Sequence, residues 1–239
     1  MTPVEAIQLQ RALSSSLVIS GGCPMGRLVA GVDVAMDADF ASACAVVIEL
    51  PSLEPVEVVC ARARVEFPYI PGLLSFREAP ITLAALYRLT SAPCAVLLDG
   101  QGIAHPRRLG FASHVGLWID VPAVGVAKSL LVGEYLQPTA IAGSKEVLRY
   151  RGSRIGYSVR TRDGVSPVFV SPGNHIGFLG SVRLAMRCCG GYRIPEPTRM
   201  AHTAGVLVRR GMEESQVLSS LRASWQAAQK KRGAQGAPS

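Results

Sequence analysis

The sequence predicts an α/β fold, a mixed β-sheet with helices on its faces. Three observations lead there. Strand-like apolar runs near 27–35, 42–50 and 56–66 follow one another with only short polar or proline-bearing connections between them. Short connections favour an antiparallel meander. A helix, strand, helix, strand order then runs from 75 to 128, and strands joined through a helix must lie parallel. Finally, the chain has 239 residues with 49% hydrophobic composition, enough to bury a sizeable core.

Taken in order, residues 3–17 read as a short amphipathic helix and Gly21-Gly22-Cys23-Pro24 as a loop. The three meander strands follow. Pro68-Tyr69-Ile70-Pro71-Gly72 is a stiff turn, because its prolines set φ and restrict the residues before them. A helix is expected from Ser75 to about Leu89, since Ser75-Phe76-Arg77-Glu78 has capping-box spacing and Pro80 is tolerable in a first turn. Strand four is 94–99, a helix spans Arg107 to Trp118, and strand five is 122–128. Residues 153–162 and 165–170 form a hairpin around Asp163-Gly164. Helices are expected over 174–189 and 197–210. The stretch from Glu213 is helical and then frays into Lys230-Lys231-Arg232 and a Gly/Ala/Pro tail expected to be disordered. One catalytic domain over 1–212, with a tail over 213–239, is the expected organisation.

Net charge is +8, which suits a polyanionic partner such as nucleic acid or a membrane surface. No apolar stretch approaches the roughly 20 residues of a spanning helix, and the N-terminus lacks the pattern of a secretory signal. A soluble, cytoplasmic protein without membrane partners is expected. The six cysteines, at 23, 44, 60, 94, 188 and 189, form no C-x-x-C pair. They read as small buried hydrophobes in a reduced compartment and not as a disulfide frame.

Two apolar runs break on an aspartate. Leu28-Val29-Ala30-Gly31-Val32-Asp33-Val34-Ala35-Met36 puts Asp33 in a buried strand, and Cys94-Ala95-Val96-Leu97-Leu98-Asp99 ends on Asp99. An ionised carboxylate in such a place costs several kcal/mol unless it is paired, hydrogen-bonded or bound to a metal. In a mixed sheet strands one and four can be neighbours, which brings the two aspartates together, with Glu78 at a helix start as the third acid. Clustered acids do not all ionise without a cation. Oxygen-only ligands favour Mg²⁺ or Mn²⁺, and carboxylate-held Mg²⁺ is one route to phosphodiester cleavage. Zinc fits poorly, because the histidines at 105, 114, 175 and 202 show no paired spacing. Each acid also has a plainer reading: Glu78 as the capping residue, Asp99 as a turn residue before Gly100, Asp33 as a member of an ion pair. Lys128 ends an apolar strand as Asp99 does, and can neutralise a phosphate or a leaving oxygen. Glycines around Asp99-Gly100-Gln101-Gly102 allow close backbone approach, and His105 and Arg107 add polar reach. Arg107, Arg108, Arg149, Arg151, Arg154, Arg160 and Arg162 are candidate phosphate contacts or a solvated face.

These segments resemble the endonuclease V family, the deoxyinosine 3′ endonucleases. The collinear matches are Gly31-Val32-Asp33, Pro68-Tyr69-Ile70-Pro71-Gly72, Phe76-Arg77-Glu78, Asp99-Gly100-Gln101-Gly102, His105-Pro106-Arg107, Gly110-x-Ala112-Ser113-His114, Gly125-Val126-Ala127-Lys128, Ser171-Pro172-Gly173-Asn174 and Pro195-Glu196-Pro197-Thr198-Arg199. They cover about residues 5–205 in order. The resemblance implies a ribonuclease H-like fold, with Asp33, Glu78 and Asp99 as metal-binding carboxylates, Lys128 as the catalytic lysine and His202 near the metal. It implies Mg²⁺, with Mn²⁺ able to substitute. It makes Tyr69 a wedge beside the lesion, with Pro68, Ile70 and Gly72 around it. Gly100, Gly102 and His105 then line a pocket for a flipped hypoxanthine. The implied reaction cuts the second phosphodiester bond 3′ to inosine in DNA, leaving 3′-hydroxyl and 5′-phosphate ends, by an enzyme expected to be monomeric. Two rival readings stay open: an inosine-specific ribonuclease on single-stranded RNA, and a non-catalytic nucleic-acid binder on the same scaffold. Asn174 departs from the histidine common in the family at that position.

Overall fold

The computed structural model describes residues 1–37 and 39–235. Its elements are α1 (Pro3–Ser14), β1 (Leu28–Asp37), β2 (Phe40–Glu49), β3 (Glu54–Arg64), α2 (Leu74–Leu86), β4 (Val96–Leu98), α3 (Phe111–Gly116), β5 (Ala123–Ala127), β6 (Lys145–Tyr150), β7 (Ser153–Val159), β8 (Val168–Asn174), α4 (Phe178–Arg187), α5 (Glu196–Arg209) and α6 (Glu214–Gln235). The strands form one mixed sheet in the order β3-β2-β1-β4-β5-β8-β7-β6. β1, β2 and β3 are the expected antiparallel meander, and β1, β4 and β5 run parallel.

The side-chain alternation of β1 and β2 divides the core into two layers, because successive residues of a strand point to opposite faces. Val29, Cys44, Val46 and Ile48 pack with α5 and α6 through Met200, Ala204, Val217 and Trp225. Ala30, Val32, Ala43, Ala45 and Val47 pack on the other side with α2 and α3 through Ile81, Ala85, Phe111 and Val115.

One contact sets how α5 lies on β1. A Cβ at Gly31 would stand 2.3 Å from the Pro197 carbonyl carbon and 2.4 Å from the Thr198 nitrogen, so only glycine lets the helix start sit on the strand. At Gly205 the corresponding Cβ would touch Ala35 at 3.9 Å. The helix therefore tracks the strand: Thr198 over Gly31, Gly205 over Ala35, and His202 over Asp33 between them. From Thr198 to His202 four helical residues rise about 6 Å, and from Gly31 to Asp33 two strand residues rise about 6.6 Å, so helix and strand stay in step up to the His202–Asp33 contact.

Several expectations are corrected. α2 starts at Leu74 behind Leu73, which offers no side-chain cap. Ser75 is therefore inside the first turn, and the Ser75–Glu78 capping box does not form. The Ser75 hydroxyl instead meets His114 Nδ1 at 2.9 Å, which makes His114 a packed helix residue. Cys44 and Cys60 are joined as a disulfide. They face one another across β2 and β3, a consequence of strand register that their spacing in sequence does not reveal. The helix expected from Arg107 begins only at Phe111, after a turn in which Arg108 takes φ 57°. The helix expected from 174 begins at Phe178, and Asn174 closes β8. Its amide accepts from the Val18 N–H at 2.8 Å and donates to the Gly116 carbonyl at 2.8 Å, so it locks three segments together. β6 was not foreseen. Lys230, Lys231 and Arg232 are helical, within α6, and the end of the expected tail at 236–239 lies outside the described residues.

Candidate active site

Asp33 and Asp99 converge because of the β1–β4 register. Val32 and Leu98 are partners across the parallel pair, so the residue after each is an aspartate at the same level. Adjacent strands lie about 4.8 Å apart. Glu78 arrives from the first turns of α2. With no capping role, its side chain lines the same cavity as Asp33 and Asp99, a space of about 460 Å³. Tyr69, Ile70, Gly72, Gly100, His105 and Lys128 also line it.

Charge crowding is visible in the protonation of the acids. Burial, and then the neighbouring Asp99 charge, push Asp33 above the usual carboxylate range, while His202 pulls it back. Glu78 is pushed up to about 7, first by burial and then by Asp33, with Asp99 adding to it and Arg77 opposing. Two basic side chains already attend the cluster. Lys128 Nζ pairs with Asp99 Oδ2, and His202 Nδ1 lies 2.8 Å from Asp33 Oδ2. The Asp99 and Asp33 side chains are only 14% and 12% exposed, so these contacts are poorly screened. Glu78 has no hydrogen-bond or ion-pair partner among the described residues. Three hard oxygen donors, two of them with raised affinity for a proton, make a set suited to a divalent cation. Among the described residues, no three His, Cys, Asp or Glu side chains are drawn in tightly enough to close round an ion.

The rest of the cavity is built around the carbonyl of Gly72, which has φ +79°. That oxygen accepts from Gln10 Nε2 at 3.0 Å, Arg107 Nη2 at 2.7 Å and His105 Nε2 at 3.0 Å. His105 Nδ1 accepts the Arg107 backbone N–H at 3.2 Å, so its Nε2 must be the protonated nitrogen and the ring is neutral. Burial and the Arg107 charge agree with this, holding His105 down to about 4. One ring nitrogen is thus spent on the turn that presents Tyr69 and the other on its own loop. Tyr69 itself is 69% exposed at the cavity mouth.

Three of the expected residues stand apart from the cavity lining. Pro68 is exposed on the turn outside it. His202 touches the cavity only through Asp33. Gly102 is a packing residue, since a Cβ there would meet the Pro172 oxygen at 2.1 Å. Gln10 was missed by sequence reasoning. It is 1% exposed, donates to the Gly72 and Leu109 carbonyls, and accepts from Arg107 Nε at 2.5 Å. The signal available was a polar residue on the apolar face of the first helix.

Register also divides the arginines. Ala127 pairs with Phe169, and Val159 pairs with both Val168 and Lys145. The ends of β5 and β7 and the starts of β6 and β8 therefore share the edge that bears Lys128. Arg160 and Arg162 lie at that edge, and Arg107 beside the Gly72 turn. Arg149, Arg151 and Arg154 belong to the opposite end of the sheet.

A mixed sheet with β3-β2-β1-β4-β5 at its heart, flanked by helices, is the ribonuclease H-like α/β fold, here with one carboxylate midway along β1 and another just after β4. The endonuclease V family model matches residues 11–203. Endonuclease V of Gloeobacter violaceus is 48% identical over 218 residues, covering 89% of each chain. The crystal structure of endonuclease V from Streptomyces avermitilis superposes with a TM-score of 0.82 at 40% identity, covering 90% of this chain and 95% of that one. Endonuclease V of Ciona intestinalis, solved with a 24mer DNA containing an inosine followed by a ribo-adenosine, shares the fold at TM-score 0.76 and 24% identity, over 88% of this chain and 98% of that one. The chain belongs to the endonuclease V family, and is a nuclease. Among the described residues no helix is long and apolar enough to cross a membrane.

Proposed function

We propose that this chain is a Mg²⁺-dependent repair endonuclease that recognises deoxyinosine in DNA. It hydrolyses the second phosphodiester bond 3′ to the lesion, leaving a 3′-hydroxyl and a 5′-phosphate. The observation that carries this reading is the meeting of Asp33, Glu78 and Asp99 in one cavity that also admits Lys128. The three carboxylates would hold Mg²⁺, or Mn²⁺ in its place. A bound divalent ion supplies an activated water and positive charge at the phosphate. His202, bonded to Asp33, orients that carboxylate. Once Asp99 is engaged elsewhere, the Lys128 ammonium on its flexible stem can meet a phosphate or leaving oxygen. Tyr69, stiffened by Pro68 and Pro71 and flanked by Ile70, stacks where the extruded base leaves a gap. That recovers part of the few kcal/mol that unstacking costs. The cavity, with Gly100 and His105 on its wall and Gly102 packed behind them, receives the base.

Inosine-bearing DNA and RNA strands of the same sequence, end-labelled and incubated with and without Mg²⁺, test the reading. DNA is expected to be cut only with the ion, at one bond 3′ of the lesion. Faster cutting of RNA would move the substrate class to RNA. Asp99→Ala is expected to abolish cleavage while binding in Ca²⁺ survives; undiminished cleavage would place the chemistry elsewhere.

A further inference from the structure

Beside the active-site cavity lies a second one of about 410 Å³, sharing Lys128 and Leu130 with it. It opens along the same sheet edge, over the end of β5, the start of β8 and the end of β7. Arg160, Arg193, Tyr135 and Gln137 are on its wall with the Ser166–Phe169 segment, and no Asp or Glu lines it. Lys128 is already paired with Asp99, but Arg160 and Arg193 face this space with no carboxylate on its wall, a local excess of charge.

Both guanidinium groups are fixed by neutral acceptors. Arg193 donates to the carbonyls of Ser166 at 2.9 Å, Lys128 at 2.7 Å and Pro167 at 2.9 Å. Arg160 donates to the carbonyls of Thr139 at 3.0 Å, Pro138 at 2.9 Å and Val165. Carbonyls hold a guanidinium in place without cancelling its charge. The positive potential is therefore rigid and uncompensated, which favours an anion that brings its own charge. Arg193 Nη1 has no acceptor among the described residues, so its two N–H groups remain to offer. Tyr135 sits edge-on to Phe169 with centroids 5.1 Å apart, giving the cavity an aromatic wall.

We propose that this second cavity binds the sugar-phosphate backbone of the substrate strand next to the bond that is cut, with Arg193 and Arg160 as the phosphate-binding groups. This rests on the nuclease reading of the first cavity. The β5 and β7 ends are two strand spacings apart, about 10 Å. Stacked nucleotides advance about 3.4 Å each along a duplex strand, so Lys128 at the end of β5 and Arg160 just after β7 are about three nucleotide steps apart. The contact is to the backbone, so it is independent of inosine.

The test is DNA binding over a salt series, with inosine-bearing and ordinary duplexes, for the wild type and three variants whose folding is checked by thermal melting. Arg193→Gln is expected to lower affinity several-fold on both duplexes alike, and to reduce the slope of log K against log salt by about 0.9, the value for one lost phosphate contact. Gln137 is exposed and outside the catalytic cavity, so it reports on the site if Arg193→Gln fails to fold. Gln137→Glu should weaken both duplexes and Gln137→Lys should tighten both and steepen the slope. Removing nucleotides one at a time from each end of the inosine strand should cost affinity from one side in the wild type, and less in Arg193→Gln. Unchanged slopes in both Arg193→Gln and the Gln137 pair overturn the proposal. So does a loss of turnover alone in Arg193→Gln, which would make it a positioning residue for Lys128 through the main-chain carbonyl. Wild type that binds ordinary DNA with these slopes but ignores inosine would sink the lesion reading and leave this site standing.

Discussion

Glu78→Gln is expected to make the metal-free protein more stable while abolishing cleavage. Glu78 is half-buried, faces Asp33 and Asp99, and has its carboxyl raised from 4.5 to about 7. A carboxyl raised in the folded state binds its proton more tightly there than in the unfolded chain. Folding is therefore favoured below the unfolded value of 4.5, and that advantage is lost as pH rises from 4.5 through about 7. A rise from 4.5 to about 7 is worth at most roughly 3.4 kcal/mol. Partial exposure screens it, and the repulsion is shared with Asp33, so about 1–2 kcal/mol is the reasonable figure. For a chain of this size each kcal/mol moves the melting temperature by about 2–4 °C. In chelator at pH 8, Glu78→Gln should melt about 2–8 °C above wild type; at pH 4.5 the two should coincide. Added Mg²⁺ or Mn²⁺ should stabilise wild type more than the variant, because ligation favours the folded state by mass action. Thermal melts across pH with and without the ion measure all of this. A variant less stable at pH 8, or equally stabilised at both pH values, would refute the charge-crowding argument.

Three other outcomes follow from the same geometry. Gly31→Ala should push α5 off β1 and cost about 1–3 kcal/mol by denaturant melting. It should also weaken the Asp33–His202 contact, seen as a change in the His202 ring chemical shifts by NMR; a silent substitution would show that the strand–helix contact is not tight. Lys128→Met keeps the apolar stem and removes the ammonium, so single-turnover cleavage should fall about 100- to 1000-fold with little change in DNA affinity; an equal loss of binding would make Lys128 a binding residue only. Gln10→Ala should leave Arg107 and the Gly72 and Leu109 carbonyls short of partners at a cost of about 1–3 kcal/mol. Its selectivity for inosine over ordinary DNA should drop as the Tyr69 turn loosens, measured by competition binding.

Most of the acidic centre was legible because its signals are local. Asp33 and Asp99 break apolar runs, and a period-2 strand pattern identifies a buried position without reference to any other segment. The meander and the parallel β1–β4–β5 core follow from connection lengths. The Ser75–Glu78 spacing misled for the same reason: a local capping rule cannot see that His114 claims the Ser75 hydroxyl from another helix. Gln10 was invisible because its partners, Gly72, Arg107 and Leu109, are remote in sequence. The seven arginines looked equivalent along the chain, and only the β5–β8–β7–β6 register separates Arg160 and Arg162 from Arg149, Arg151 and Arg154.

By itself the sequence determined the fold class and the family, and it named Asp33, Glu78 and Asp99 as candidate acids, since each rests on short-range patterning or on motifs in linear order. The tertiary structure alone decided that Glu78 is free to face the cavity, that Cys44 meets Cys60, that α6 joins the core through Val217 and Trp225, and that His202 stands over Asp33. Each of these depends on the register between elements distant in the chain. Close packing sets that register, as at Gly31, where the absence of one methyl group brings a helix down onto a strand.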